Sequence, residues 1–108
     1  MSRTQTEDVL LSLGIPVGIK GFTYIADAIE VFESKGTEIS TTKELYPLVA
    51  KMNETTDCLV ERAMRYAFAV ARKCSGNYEK VNHYISFSNC DNTNSLKRLY
   101  LMLKREEA

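Results

Sequence analysis

The sequence predicts an all-α protein, a six-helix bundle containing a helix-turn-helix. Three observations support this. Apolar residues recur at three-and-four spacing in six segments, glycine, asparagine and serine separate those segments, and no stretch alternates apolar and polar residues long enough to form a competing strand. A length of 108 residues suits one core rather than two, so a single domain over 1–108 is expected, with the helix-turn-helix at about 42–73.

The first helix is expected to start near Thr6 as its cap, to bury Val9, Leu10 and Leu13, and to stop at Gly14. In the loop IPVGIKG, Pro16, Gly18 and Gly21 oppose helix. The second helix is therefore placed from about Phe22 to Ser34, with Ile25, Ala28, Ile29 and Phe32 on its apolar face and Gly36 as its end. Thr41 or Thr42 caps a third helix reaching about Met52, in which Pro47, lacking an N–H, fits only near the start. The polar turn Asn53-Glu54-Thr55-Thr56 leads into the longest helix, about Asp57 to Lys73. Thr56 or Asp57 caps it, and Arg72 and Lys73 suit the negative end of its dipole. A short helix, about Asn77 to Ile85, and the loop SFSNCDNTN follow, and Asn94 or Ser95 caps a last helix through Leu103.

Composition excludes several functions. Hydrophobic residues at 44% and charged residues at 26% are the balance of a globular protein. No apolar run reaches the about 20 residues of a membrane span, and MSRTQTEDVL lacks the pattern of a signal peptide. A cytoplasmic location and no membrane partner are expected. Cys58, Cys74 and Cys90 form no C-x-x-C pair and read as free thiols. With His83 they would make a Cys3His zinc set only from distant segments, so neither metal nor cofactor is expected. One histidine, no phosphate-cradling glycine loop and no nucleophile beside a base leave no catalytic residue to assign. His83 reads as a surface or packing residue, and Tyr46, Tyr66, Tyr84 and Tyr100 read first as core rather than as base-stacking platforms.

The fourth helix carries the functional signal. At 100° per residue, Val60, Ala63, Met64, Ala67, Val70 and Ala71 share one side. Cys58, Glu61, Arg62, Arg65, Ala69 and Arg72 share the other, bordered by Leu59 and Tyr66 on one edge and Phe68 on the opposite edge. An arginine fork donates two hydrogen bonds to guanine O6 and N7, and a glutamate accepts from the cytosine amino group, so this outer face has the chemistry of base reading. Alone it equally describes a solvated face with a Glu61–Arg65 ion pair. The helix before it adds weight: Ala50 permits a close crossing that Val49 and Val60 fill, so Val49, Ala50, Val60, Ala63 and Ala67 are expected to be buried between the third and fourth helices. The usual turn glycine is missing, with Glu54 near its place. The net charge of zero and a pI near 6.6 argue mildly against nucleic acid. Between Thr56 and Cys74, however, Arg62, Arg65, Arg72 and Lys73 outnumber Asp57 and Glu61.

Several motifs, LGIPVGIKGFTYIADAI, TKELYPLVAKMNETT, LVERAMRYAFAVA, SGN at 75–77 and TNS at 93–95, occur in an order that resembles the C-terminal DNA-binding (effector) domain of the stage-zero sporulation response regulator. The resemblance covers nearly the whole chain. It implies a six-helix bundle whose fourth helix, about 57–73, reads a TGNCGAA-type box in duplex DNA through Glu61, Arg62 and Arg65, with Tyr66 where the family often has histidine. The expected DNA-backbone contacts are Lys51, Thr55 and Thr56, with Asn94 and Ser95 at the start of the last helix. The implied partners are double-stranded DNA, the RNA polymerase sigma subunit and a second copy on tandem sites. Two departures remove positive charge: Leu59 stands where relatives often carry a basic residue, and Asp91-Asn92 where they carry Lys-Pro. These motivate an alternative, a protein-interaction or decoy module of the same fold with weak DNA affinity. The regulator's phosphorylated receiver domain is not expected within 1–108.

Overall fold

The computed structural model describes residues 2–73 and 75–107. Among them are six α-helices and no strand: α1 (Arg3–Ser12), α2 (Lys20–Lys35), α3 (Tyr46–Met52), α4 (Asp57–Lys73), α5 (Tyr78–Tyr84) and α6 (Asn92–Glu107). A π-helical turn occupies Thr41–Leu45 and a 3-10 turn Ser75–Asn77. The predicted class is thus the one found. α4 packs against α2, α3 and α6, and the shared core includes Leu10, Ile25, Phe32, Val49, Phe68 and Leu99, none more than 2% exposed.

Helix starts differ from expectation for local chemical reasons. Thr6 is buried inside α1 and does not cap it. Ser2 does: its hydroxyl accepts from the Gln5 N–H while the Gln5 side chain accepts from the Ser2 N–H, a reciprocal capping box. Ser40, rather than Thr41 or Thr42, caps the third helical segment by accepting from the Lys43 N–H at 3.1 Å. A continuous α-helix from Thr41 to Met52 would need an N–H on Pro47 to reach the Lys43 carbonyl. The ladder instead widens, with Leu45 N–H on Ser40 O, and α3 proper begins at Tyr46 with Pro47 in its first turn. The last helix starts at Asn92, and its cap is Asp91 rather than Asn94 or Ser95. The Asp91 carboxylate accepts from the backbone N–H of Asn94 at 2.9 Å and from its side-chain amide at 2.8 Å.

Gly21 does not oppose helix; it lies in the first turn of α2. A Cβ there would stand 2.3 Å from the Ala63 carbonyl oxygen and 2.7 Å from the Ala67 Cβ. The missing side chain lets α2 and α4 approach almost to backbone contact. Val49, Ala50 and Val60 are buried as expected, but Ala63 is only half-buried, and Ala63 and Ala67 meet Gly21 of α2.

Two expectations follow. Gly21→Ala forces a shift of backbone and should destabilise the fold by about 1–3 kcal/mol, whereas Gly18→Ala, with nothing within 4 Å of its added Cβ, should stay within about 0.5 kcal/mol of the parent. Denaturant titration of both variants checks this. The hydrogen bonds from Asn94 hold the Asp91 carboxyl below its ordinary pKa, so its capping contribution is present above the unfolded carboxylate value of about 4 and is lost as pH falls through the depressed folded value. The stability gap between parent and Asp91→Ala, about 1 kcal/mol near neutrality for a lost cap, should therefore close in acid, as thermal midpoints across pH would reveal.

Candidate nucleic-acid interface

Asn53 ends α3, and its amide donates to the Val49 carbonyl at 2.9 Å and to the Asp27 carboxylate of α2 at 2.7 Å. The Asp27 side chain is 8% exposed and also accepts from Arg3 at 2.6 Å. A buried carboxylate is tolerable only when paired, so Asp27 fixes α1 and the turn to one point on α2. Burial opposes the charge on Arg3, but its hydrogen bonds to Asp27 and Glu30 outweigh that and hold its pKa above the ordinary value. Glu54 follows with φ +52°, the left-handed position at which a turn glycine is usual. Thr55 N–H returns to the Ala50 carbonyl, and the Thr56 hydroxyl caps α4 by accepting from the Leu59 N–H at 3.3 Å.

α4 emerges from this turn with its outer face largely exposed. Arg62, Arg65 and Cys58 are in solvent, Leu59 is 51% and Tyr66 61% exposed, and Glu61 is half-buried. Tyr66 therefore departs from the core reading, whereas Tyr46 is buried and Tyr84 and Tyr100 pack partly buried against the core. Glu61 and Arg65 form an ion pair at 3.3 Å, and Arg62 makes no ion pair with a described residue. Lys51 and Thr56 are exposed and Thr55 half-buried. Glu61, Arg62, Arg65, Tyr66, Lys51, Thr55 and Thr56 thus belong to the turn and the helices on either side of it.

The start of α6 reaches the middle of α4 through Asn92, which is buried and donates to both the Tyr46 hydroxyl and the Glu61 carbonyl, each at 3.1 Å. Asn94 is exposed, but its amide and N–H are engaged by Asp91. Ser95 is fully buried and its hydroxyl accepts from Arg72 at 2.8 Å, so it is unavailable to a phosphate and is corrected to an internal role. Arg72, expected on the outer face, turns inward instead. It donates to the carbonyls of Ile85 (3.0 Å), Ser86 (2.9 Å) and Cys90 (3.3 Å), and burial lowers its pKa. Its long side chain can leave the face that its helical angle assigns, which is why spacing misplaced it. Asp27, Asn53 and Asn92, which set the geometry, escaped the sequence reading. An asparagine at a helix end was the one available signal, for Asn53.

Cys58 and Cys90 are exposed free thiols, and Cys74 lies outside the described residues. His83 is exposed, 3.7 Å from Glu106. No described helix is long and apolar enough to cross a membrane. Residues 6–103 match the family described as the sporulation initiation factor Spo0A C terminal, a span that contains the turn, both helices beside it and every residue assigned to the outer face. The chain therefore belongs to the Spo0A C-terminal family and is a DNA-binding domain of the sporulation-regulator type.

Proposed function

We propose that this chain regulates transcription as a single domain that binds duplex DNA sequence-specifically, with α4 in the major groove of a TGNCGAA-type box. The observation that carries this reading is the exposed cluster Glu61, Arg62 and Arg65 in the N-terminal half of α4, the half that meets base edges when such a helix enters a groove. Arg62 and Arg65 supply the forks for guanine, Glu61 the acceptor for cytosine, and Tyr66 an exposed ring beside them. The Glu61–Arg65 pair must open or share its atoms for either to read a base. Both partners are solvent-accessible, so the cost is a few tenths of a kcal/mol. Lys51, Thr55 and Thr56 take flanking phosphates, which position without specifying sequence. Asn94 contributes there less, because Asp91 beside it repels phosphate. The sigma subunit of RNA polymerase and a second copy on a tandem site complete the proposed partners.

Exposed Leu59 and Tyr66 on the same face also suit a protein surface, which keeps the interaction-module reading as the alternative. One experiment separates the two. Arg62→Ala and Arg65→Ala, at exposed sites, should leave the thermal midpoint nearly unchanged yet reduce the preference for a TGNCGAA duplex over a scrambled one by about 1–3 kcal/mol each. Gel-shift titrations of parent and variants measure that ratio. Equal losses on both duplexes would remove the residue from base reading, and a parent with no affinity for either duplex would favour the interaction module.

A further inference from the structure

Between the start of α2 and the N-terminal half of α4 lies a crevice of about 260 Å³, lined by Lys20, Tyr24, Thr55, Leu59, Arg62 and Ala63. It is a consequence of the Gly21 crossing. Because Gly21 rests on Ala63, the residue before each, Lys20 on α2 and Arg62 on α4, borders the same opening.

Three observations give this crevice the chemistry of an anion site. Lys20 and Arg62 are exposed and neither makes an ion pair with a described residue; Glu61, next to Arg62 in the chain, is engaged by Arg65. The 16-residue helix α2 begins here without a side-chain cap; its Phe22 N–H turns back to the Ile19 carbonyl at 3.1 Å, and the positive end of its dipole adds to the field of the two cations. Finally, Tyr24 is only 5% exposed, yet its hydroxyl makes no hydrogen bond with a described residue. Among the described residues no buried side-chain polar atom is left unsatisfied, so this hydroxyl is not sealed in the core, and Tyr24 lines the crevice. Buried tyrosines usually find a partner for that group.

The geometry points to a phosphate site in this crevice whose occupant is a backbone phosphate of duplex DNA, held by Lys20 and the Tyr24 hydroxyl at the positive end of α2. The inference rests on the reading above in one respect, that the duplex lies along the outer face of α4, with which the crevice shares Thr55, Leu59 and Arg62. Lys20 and Tyr24 then act as phosphate contacts and carry no sequence information.

The test uses the whole chain, Lys20→Gln and Tyr24→Phe, and anisotropy titrations of a TGNCGAA and a scrambled duplex at several salt concentrations. Lys20→Gln should flatten the logarithmic salt dependence by about 0.9 on both duplexes. Tyr24→Phe, which removes no charge, should weaken both by about 2- to 10-fold with the slope kept. The cognate-to-scrambled ratio should hold in each variant. An unchanged slope in Lys20→Gln, while Arg62→Ala or Arg65→Ala still flattens the ratio, would overturn the crevice and leave base reading intact. A parent that binds both duplexes equally would overturn base reading, and the Lys20→Gln slope would still decide the crevice. No binding to either duplex would overturn both. Shifts of the Lys20 to Phe22 amides on adding inorganic phosphate, together with an unchanged DNA slope, would assign the site to a free anion and contradict the DNA commitment.

Discussion

The contact between Gly21 and the Ala63–Ala67 stretch is the constraint from which the remaining geometry follows. A Cβ at 2.3 Å from a carbonyl oxygen has nowhere to go, so the approach of α2 to α4 exists only because residue 21 has none. That approach selects the face of α4 that is buried and, by exclusion, the face that is offered outward. Along α2 the same register places Asp27 where it meets the Asn53 amide, so one helix fixes both the turn before α4 and the rotation of α4 about its axis. A glycine in a helix ordinarily costs about 1 kcal/mol against alanine; here close packing offsets it.

Polar fastenings act on that frame at three points along α4. Asn53 holds the turn before it, Asn92 holds the carbonyl of Glu61, and Arg72 ties its last turn to the loop after α5 and to Ser95. All three use buried or half-buried groups, which are costly when unpaired and are therefore geometrically demanding. Ion pairs away from α4 explain how a chain of zero net charge leaves cations unpaired beside the outer face. Carboxylates of Glu7, Asp27 and Glu30 are gathered around Arg3, and Glu33 is paired with Lys104. Arg62 and Lys20 remain without an acidic partner among the described residues.

Periodicity alone located six helices and the exposed cluster on α4, because both depend on spacing that a packed helix must respect. It failed where a single residue's environment decides. Gly21 reads as a helix breaker unless the partner helix is known, and Arg72 reads as outward because its backbone position says so while its flexible chain says otherwise. Asp91 reads only as a lost positive charge, whereas its carboxylate also caps α6. Caps near Thr6, Thr41 and Asn94 were each displaced by one or more residues to Ser2, Ser40 and Asp91, since any of several neighbouring polar residues satisfies the rule and only the fold chooses among them. The turn lacks its usual glycine, and Glu54 at φ +52° adopts the conformation that residue would have served.

The central claim is that the outer face of α4 reads base edges and does more than hold phosphate. Substituting 7-deazaguanine for each guanine of a TGNCGAA duplex in turn removes one N7 acceptor from the major groove and alters no phosphate. Measured by competition against the unmodified duplex, binding of the parent should weaken by about 3- to 10-fold at the guanines contacted by arginine. The matching arginine-to-alanine variant should be indifferent to the same substitution. Equal affinity of the parent for modified and unmodified duplexes at every guanine would contradict the account.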